Sequence, residues 1–451
     1  MECYELPDGW EWRELSQVVG IGSEQINPSR YPNELFNYLA LENIEQGSAN
    51  VLDFTPTLGK NIKSNKFKFT RKHVLYGKLR PYLRKAIAPD FDGVSATDLL
   101  PLLPDENDLD RKFLVWWLLS PQILEYVVGK QTGVKMPRLR SNDLAQMPVP
   151  IPVLAEQQRI VAKIEGLFEQ SRAARAALER VPVLMSQFRR AVLASAFRGE
   201  LVEPDPNDEP AETLLNRIRE ARISSGSKKL AHSEVFDIDD LPGIPATWVW
   251  TTLEMLAEIR NGVTKGRDLS RFETVEIPYL RVANVQAGYL DFREVKTIKI
   301  KKTELEKVRL KPNDILFTEG GDRDKLGRGT VWRGEVDVCT HQNHVHCARL
   351  YLQDVIPDWV SLASQLSYAR DYFFSAASQT VNLASLNSTQ LKGLPVPLPP
   401  FNEQKRILEK VKILFAQADI IEQAASVALR RAEQVDQSIL ARAFRGELVN
   451  S

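Results

Sequence analysis

The chain has 451 residues, 43% of them hydrophobic and 26% charged, which is enough for about two or three globular domains with sizeable cores. No stretch approaches the ~18 uninterrupted apolar residues of a membrane span, and the opening MECYELPDGW lacks the basic-then-apolar pattern of a secretory signal, so a cytoplasmic protein is expected. Lys plus Arg number 59 against 59 Asp plus Glu, and the three cysteines (Cys3, Cys339, Cys347) are too few for a disulfide framework.

In chain order, the first recognisable piece is Leu6-Pro-Asp-Gly-Trp-Glu-Trp-Arg-Glu-Leu15. From Phe54 to Pro89 no acidic residue occurs, while Lys60, Lys63, Lys66, Lys68, Arg71, Lys72, Lys78, Arg80, Arg84 and Lys85 do, so the charge balance of the whole hides a basic surface. Val74-Leu75-Tyr76 reads as a short buried strand, and Phe113 to Val128 as helical. The Pro-rich run Pro148-Val-Pro-Ile-Pro152 closes this half. An amphipathic stripe follows, with Ile160, Ile164, Leu167, Phe168 and Leu178. Pro182 is expected to break or kink that helix, which resumes through Phe188, Val192 and Phe197 and stops at Gly199. An acidic Pro-rich loop, Glu203 to Pro210, and a flexible piece, Ser224-Ser-Gly-Ser-Lys-Lys229, come next.

The second half repeats the plan. Ile244-Pro-Ala-Thr-Trp-Val-Trp-Thr-Thr-Leu253 resembles the first opening. Pro278 to Val282, Ile315-Leu316-Phe317 and Val336 to Leu350 are strand candidates, and Trp359 to Ser375 looks helical. Residues 395–449 then align with 148–202 without a gap, at an offset of 247, with roughly two in five positions identical. Glu156-Gln157 answers Glu403-Gln404, and Ala196-Phe-Arg-Gly-Glu-Leu-Val202 recurs unchanged as Ala443 to Val449. In this second copy Ile407, Val411, Leu414, Phe415, Ala418, Ile421, Ala425 and Ala428, then Val435, Ile439, Leu440 and Phe444, form a helical stripe with no Pro or Gly before Arg445. Two such long helices in one chain can bury their stripes against each other. Ile407, Val411, Leu414 and Phe415 are expected in that seam, and Trp10, Trp12, Trp248 and Trp250 in the cores. Between the shared ends the halves diverge almost completely, and their strands are too short and irregular for a doubly wound sheet, so each half is α+β.

No phosphate-loop, dinucleotide or amino-methyltransferase motif is present. Leu398-Pro-Pro-Phe401 lacks the Asp or Asn that would hold a target amine. Cys339-Thr-His341-Gln-Asn-His344-Val-His346-Cys347 has metal-ligand residue types. On a strand, however, Cys339, His341 and Cys347 face one way and His344 and His346 the other, which argues against zinc. Glu319-Gly-Gly-Asp322-Arg-Asp324-Lys325 has no partner carboxylate pattern for a nuclease and suits phosphate contact equally well.

Two variable domains alternating with two near-identical helical segments, bracketed by Pro-Val-Pro-x-Pro…Glu-Gln and Ala-Phe-Arg-Gly-Glu-Leu, resemble the specificity subunit of prokaryotic type I restriction-modification systems. The segment Ile277-Pro-Tyr-Leu-Arg-Val-Ala-Asn-Val-Gln286 is also similar to family patterns. The resemblance implies an α+β chain with target-recognition domains at 1–154 and 236–401, a central helical region and linker at 155–235, and a distal helix at 402–451. The two long shared helices would pair as an antiparallel coiled coil. It implies a non-catalytic DNA-binding subunit in which each variable domain reads half of a bipartite double-stranded DNA site. The helices would set the spacing and dock two methyltransferase subunits, and a motor-nuclease subunit would join for cleavage. No cofactor is expected in this chain, and S-adenosylmethionine is expected in the methyltransferase subunits.

Cations and amides suit phosphate and base contacts. The candidates in the first half are Lys78, Arg80, Tyr82, Arg84, Lys85, Lys135, Arg138 and Arg140. In the second half they are Asn261, Thr264, Lys265, Arg267, Asn284, Asp322, Arg323, Lys325, Arg328, His341, Gln342 and Asn343. Phe197, Arg198, Phe444 and Arg445, identical in two otherwise diverged copies, are candidate partner contacts, with structural capping as the alternative. The rival functions are a self-contained nuclease or methylase and a coiled-coil scaffold without a nucleic-acid role.

Overall fold

The computed structural model describes residues 4–133, 136–226, 241–321, 326–379 and 384–449. The chain divides into two compact units, Met1–Val181 together with Gln423–Ser451, and Pro182–Glu422. These cut across the linear boundaries at 154, 235 and 401, because each unit joins one variable half to part of both shared segments.

The elements that frame each unit are, in order, β1 (Glu11–Glu14), α1 (Arg111–Leu118), α2 (Pro121–Lys130), β2 (Pro148–Ile151), α3 (Leu154–Glu179), α4 (Val181–Phe197), α5 (Ala211–Ser224), β3 (Val249–Thr252), α6 (Pro357–Ala363), α7 (Ser367–Ala376), β4 (Pro395–Leu398) and α8 (Phe401–Ala443). Pro182 accompanies a break in the helix, the first of the two expected outcomes, rather than a kink. It falls in the first turn of α4, where an N–H is not needed, and a single residue, Arg180, separates α3 from α4. Helix α5 has no counterpart in the sequence expectations. It follows Pro210 and buries Leu214, Leu215 and Ile218.

In the first unit an antiparallel sheet runs in the order Val19–Ile21, Leu99–Pro104, Val74–Gly77, Ala86–Ile87. Helix α1, capped by the Asp110 carboxylate and buried from Phe113 to Leu118, packs on it. In the second unit the order is Ala257–Asn261, Val345–Leu350, Ile315–Thr318, Gly329–Val331, again antiparallel, with α6 against it. The two halves thus share one sheet topology although their sequences diverge. In each, the shared Pro-rich run is a strand beside the shared opening: β1 pairs with β2, and β3 with β4. These are two-stranded ladders, which tolerate proline on the unpaired side.

In the first unit, α3 lies along the C-terminal half of α8. Arg175 is ion-paired with Asp436, and Phe444 sits on Phe113 and Trp117 at ring distances of 5.1 and 5.0 Å, close to the start of α3. In the second unit, α4 lies along the N-terminal half of α8. Arg189 meets Asp419 and Glu422, and Phe197 stacks on Trp359 at 4.0 Å, whose indole donates to Pro397 O just before α8 begins. Both pairings are antiparallel. The expected stripe needs two corrections. Ile421 and Val435 are 47% and 50% exposed, because Glu422 and Asp436, about 100° further round, take the inward positions. Phe188 is also exposed on α4. Ile407 and Val411 are buried in the same cluster as Trp359 and Leu391, so this end of α8 serves the variable half's core, with Leu414 and Phe415 partly buried beside it. Trp10 and Trp248 are core residues, and Trp12 packs against the first core.

Candidate nucleic-acid interface

The basic run of the first half does not present all its charge to solvent. Lys68 pairs with Glu24 at 2.6 Å and Lys72 with Glu106 at 3.0 Å, acids supplied from elsewhere in the sequence. Lys66 is buried and donates to Lys63 O. The connection from Val74–Gly77 to Ala86–Ile87 differs. Arg80 and Arg84 both hold left-handed backbone, φ 50° and 46°, around the buried Pro81. A non-glycine residue in that region costs about 1–2 kcal/mol, so the loop needs anchors. They come from the segment before the last short helix of the half: Arg80 N–H donates to Pro137 O (2.7 Å) and Leu139 N–H to Lys78 O (3.0 Å), and Leu79 bridges Arg138. The fold thereby gathers Lys78, Arg80, Tyr82, Arg138 and Arg140, with Arg80, Tyr82, Arg138 and Arg140 exposed. Arg138 lies 3.5 Å from Asp98, and no ion pair to Lys78, Arg80 or Arg140 occurs among the described residues.

Two candidates of this half are turned inward. Arg84 is bonded to Leu119 O and to Gln437 Oε1, and burial lowers its pKa. Lys85 Nζ donates to Leu41 O at 2.6 Å. Their charge is spent on tying the loop to the fold. Lys135 lies outside the described residues.

In the second unit the equivalent connection runs from Thr318 to Gly329. It is anchored in the same way, Gly320–Gly321 pairing with Ala384–Ser385 ahead of the helix Ser388–Lys392. Asp322, Arg323 and Lys325 of this loop lie outside the described residues. Arg328 donates to Gln286 Oε1 at 2.7 Å. A second cluster is fully described. Val263 N–H donates to His341 O (2.8 Å) and Asn343 N–H to Val263 O (3.1 Å), so the loop after Ala257–Asn261 lies on the tip 341–343. Gly262 permits this approach, since a Cβ there would sit 2.2 Å from His341 O. Exposed Asn261, Thr264 and Lys265 are thus brought beside the half-buried Gln342 and Asn343. Arg267, in the same loop, is ion-paired with Glu304 at 3.0 Å.

Asn284 and His341 are not surface readers. Asn284 is 3% exposed and donates to Asp291 O and Glu294 O while accepting from Arg281 N–H. His341 is 2% exposed, its Nδ1 lies 2.6 Å from Val345 O, and burial pushes its imidazole down to about 4. Burial also raises the Cys339 thiol to about 12, and no metal-holding cluster of His, Cys, Asp or Glu occurs among the described residues.

The repeated aromatic–arginine pairs separate by role. Phe197 and Phe444 are buried, each against the aromatic core of a variable half, and have no side-chain surface to offer a partner. Arg198 and Arg445 are exposed, Arg198 chelated by Glu200. The glycines that follow, Gly199 (φ 72°) and Gly446 (φ 73°), lie against Pro245 and Pro7. The first shared segment therefore ends on the opening of the second half, and the second ends on the opening of the first. Sequence reading passed over Gln157 and Gln404, although both stand in the repeat. Each is fully buried and crosslinks its helix start to the variable half.

The profile of the family described as "Type I restriction modification DNA specificity domain" matches residues 7–180 and 245–429. The chain is 26% identical to the type I restriction enzyme EcoKI specificity subunit of Escherichia coli K12, over 99% of this chain and 91% of that one. It is 25% identical to the StySPI specificity subunit of Salmonella potsdam, over 98% and 90%. Its fold is similar to the HsdS subunit from Thermoanaerobacter tengcongensis, with a TM-score of 0.62 at 20% identity and 98% coverage of both chains.

Proposed function

The chain belongs to the type I restriction-modification DNA specificity family, and on that premise we propose that its two units each read one half of a bipartite duplex site. One observation carries the reading. The same strand connection, anchored by the same downstream segment, occurs in both units, but with different side chains. A common frame carrying divergent loops is what two readers of different half-sites require. Lys78, Arg80, Arg138 and Arg140 supply phosphate contacts in the first unit, with Tyr82 beside them. Asn261, Thr264, Lys265, Gln342 and Asn343 supply contacts in the second. Arg267 and Arg328 border that surface, and Arg323 and Lys325 belong to its Gly-rich loop.

Catalysis falls to partners in this reading. Two methyltransferase subunits, holding S-adenosylmethionine, dock on the shared helices, and a motor-nuclease subunit joins them. Val183, Leu184 and Phe188 on α4 and Ile420 and Ile421 on α8, all exposed in the second unit, give such a subunit apolar surface to cover. Exposed Arg198 and Arg445 are further contacts.

The test uses the chain assembled with its methyltransferase subunits. Arg80→Glu with Arg140→Glu should weaken duplex binding at least about tenfold for every sequence and flatten the salt slope by about 2. Asn261→Ala with Gln342→Ala should relax preference in one half-site only, by about 1–3 kcal/mol. Unaltered affinity and slope in the first variant would remove the first-unit assignment.

A further inference from the structure

The two shared segments are copies of one another, yet at four equivalent positions their charges are opposite. Arg172, Arg175 and Arg189 of the first copy correspond, at the offset of 247, to Asp419, Glu422 and Asp436 of the second. All three first-copy residues are cations and all three second-copy residues are acids. The fourth pair, Glu165 and Lys412, runs the other way, and Glu165 is ion-paired with Lys112 of the variable half rather than across the helices.

The folded chain brings these residues together. In the first unit, Arg175 pairs with Asp436, which is only 6% exposed, and Arg172 lines the same cleft. In the second unit, Arg189 chelates Glu422 through Nη1 and Nη2 (3.1 and 2.9 Å) and reaches Asp419 at 2.5 Å. The contacts are equivalent: the position of Arg175 in one copy is that of Glu422 in the other, and Arg189 corresponds to Asp436. The bond to Glu422 raises the Arg189 pKa, and the bond to Arg189 lowers that of Glu422. Asp436 is buried and Arg175, Arg189 and Glu422 are partly buried, where like charges repel more strongly than on an open surface, whereas Arg172 and Asp419 are exposed.

We propose that the three positions form a charge code by which each shared helical segment accepts the other copy and rejects its own. A first-copy segment laid antiparallel on another first copy in the same register would set Arg175 against Arg189. A second copy on a second copy would set Glu422 against Asp436. The apolar seam cannot make this distinction, because near-identical stripes match themselves as well as each other. The code keeps two chains from joining through like segments and directs each chain to close on itself. It does not depend on what the variable halves bind.

The experiment compares full-length chains. One variant is all-basic (Asp419→Arg, Glu422→Arg, Asp436→Arg). A second exchanges the charges, adding Arg172→Asp, Arg175→Glu and Arg189→Asp to those three. The all-basic chain should melt roughly 5–15 °C below the parent in low salt, with the gap narrowing in 1 M NaCl. The exchanged chain should melt within about 3 °C of the parent, although it carries twice as many substitutions. If the all-basic chain does not fold, recovery in the exchanged chain decides the matter alone. An exchanged chain as unstable as the all-basic one, or an all-basic chain as stable as the parent, would overturn the code.

Discussion

Gln157 and Gln404 stand 247 residues apart and make the same buried contacts, one in each unit. Each side-chain oxygen accepts a backbone N–H, from Asp110 (2.8 Å) or Ile356 (3.1 Å), and each amide donates to a proline carbonyl, Pro152 (2.8 Å) or Pro399 (3.0 Å). Replacing either by Leu leaves a buried N–H and C=O without partners, at about 1–3 kcal/mol. Urea unfolding of Gln157→Leu and Gln404→Leu should show losses of similar size, and a neutral result at either site would mean that water replaces the amide there.

Phe444 fills the space between Phe113 and Trp117, and Phe197 that beside Trp359 and Trp248. Truncation to Ala should cost about 3–5 kcal/mol at each site. Limited proteolysis should place the new cleavages of Phe444→Ala within 1–181 or 423–451 and those of Phe197→Ala within 182–422, the extents of the two units.

Gly446 has φ 73°, and a Cβ there would lie 2.3 Å from Pro7 Cγ. Gly446→Ala should therefore destabilise by more than about 1 kcal/mol. Adding Pro7→Ala should return the steric part of that loss and leave the backbone part. Full recovery would show that the left-handed conformation is not required.

His341 is neutral in the fold, its pKa lowered by burial from 6.5 to about 4. The unfolded chain therefore binds a proton first as pH falls. The contribution is complete above about pH 6.5 and is lost towards pH 4, by about 3 kcal/mol in all. Between pH 7.5 and 5 the parent should lose about 2 kcal/mol that His341→Gln does not lose. Equal pH slopes in urea titrations of the two would contradict this assignment.

The duplication, the helix periodicity and the stop at each Gly were legible because they are local, repeated signals. The sheet order shared by the halves was not, since divergent strands such as Leu99–Pro104 and Val345–Leu350 become equivalent only through pairing. Residue type found the exposed Arg80 and Lys265 but could not separate them from Arg84, Lys85, Asn284 and His341. Those four are polar groups that the fold consumes, and their bonding partners lie 4 to 353 residues away. Opposite charges at repeat-equivalent positions were visible in the alignment, yet acquire meaning only once Arg189 is seen against Glu422.

Tyr4 Oη donates to Phe444 O at 2.5 Å, across 440 residues of sequence. This contact gives the molecule a history during synthesis. The unit spanning 182–422 is continuous and complete as soon as it has left the ribosome. The other begins first and finishes last, because Phe113 and Trp117 lack their covering aromatic until Phe444 emerges. At about 5–20 residues per second, that wait lasts roughly 15–65 s. During it the nascent chain carries an open apolar site that Phe444 later covers.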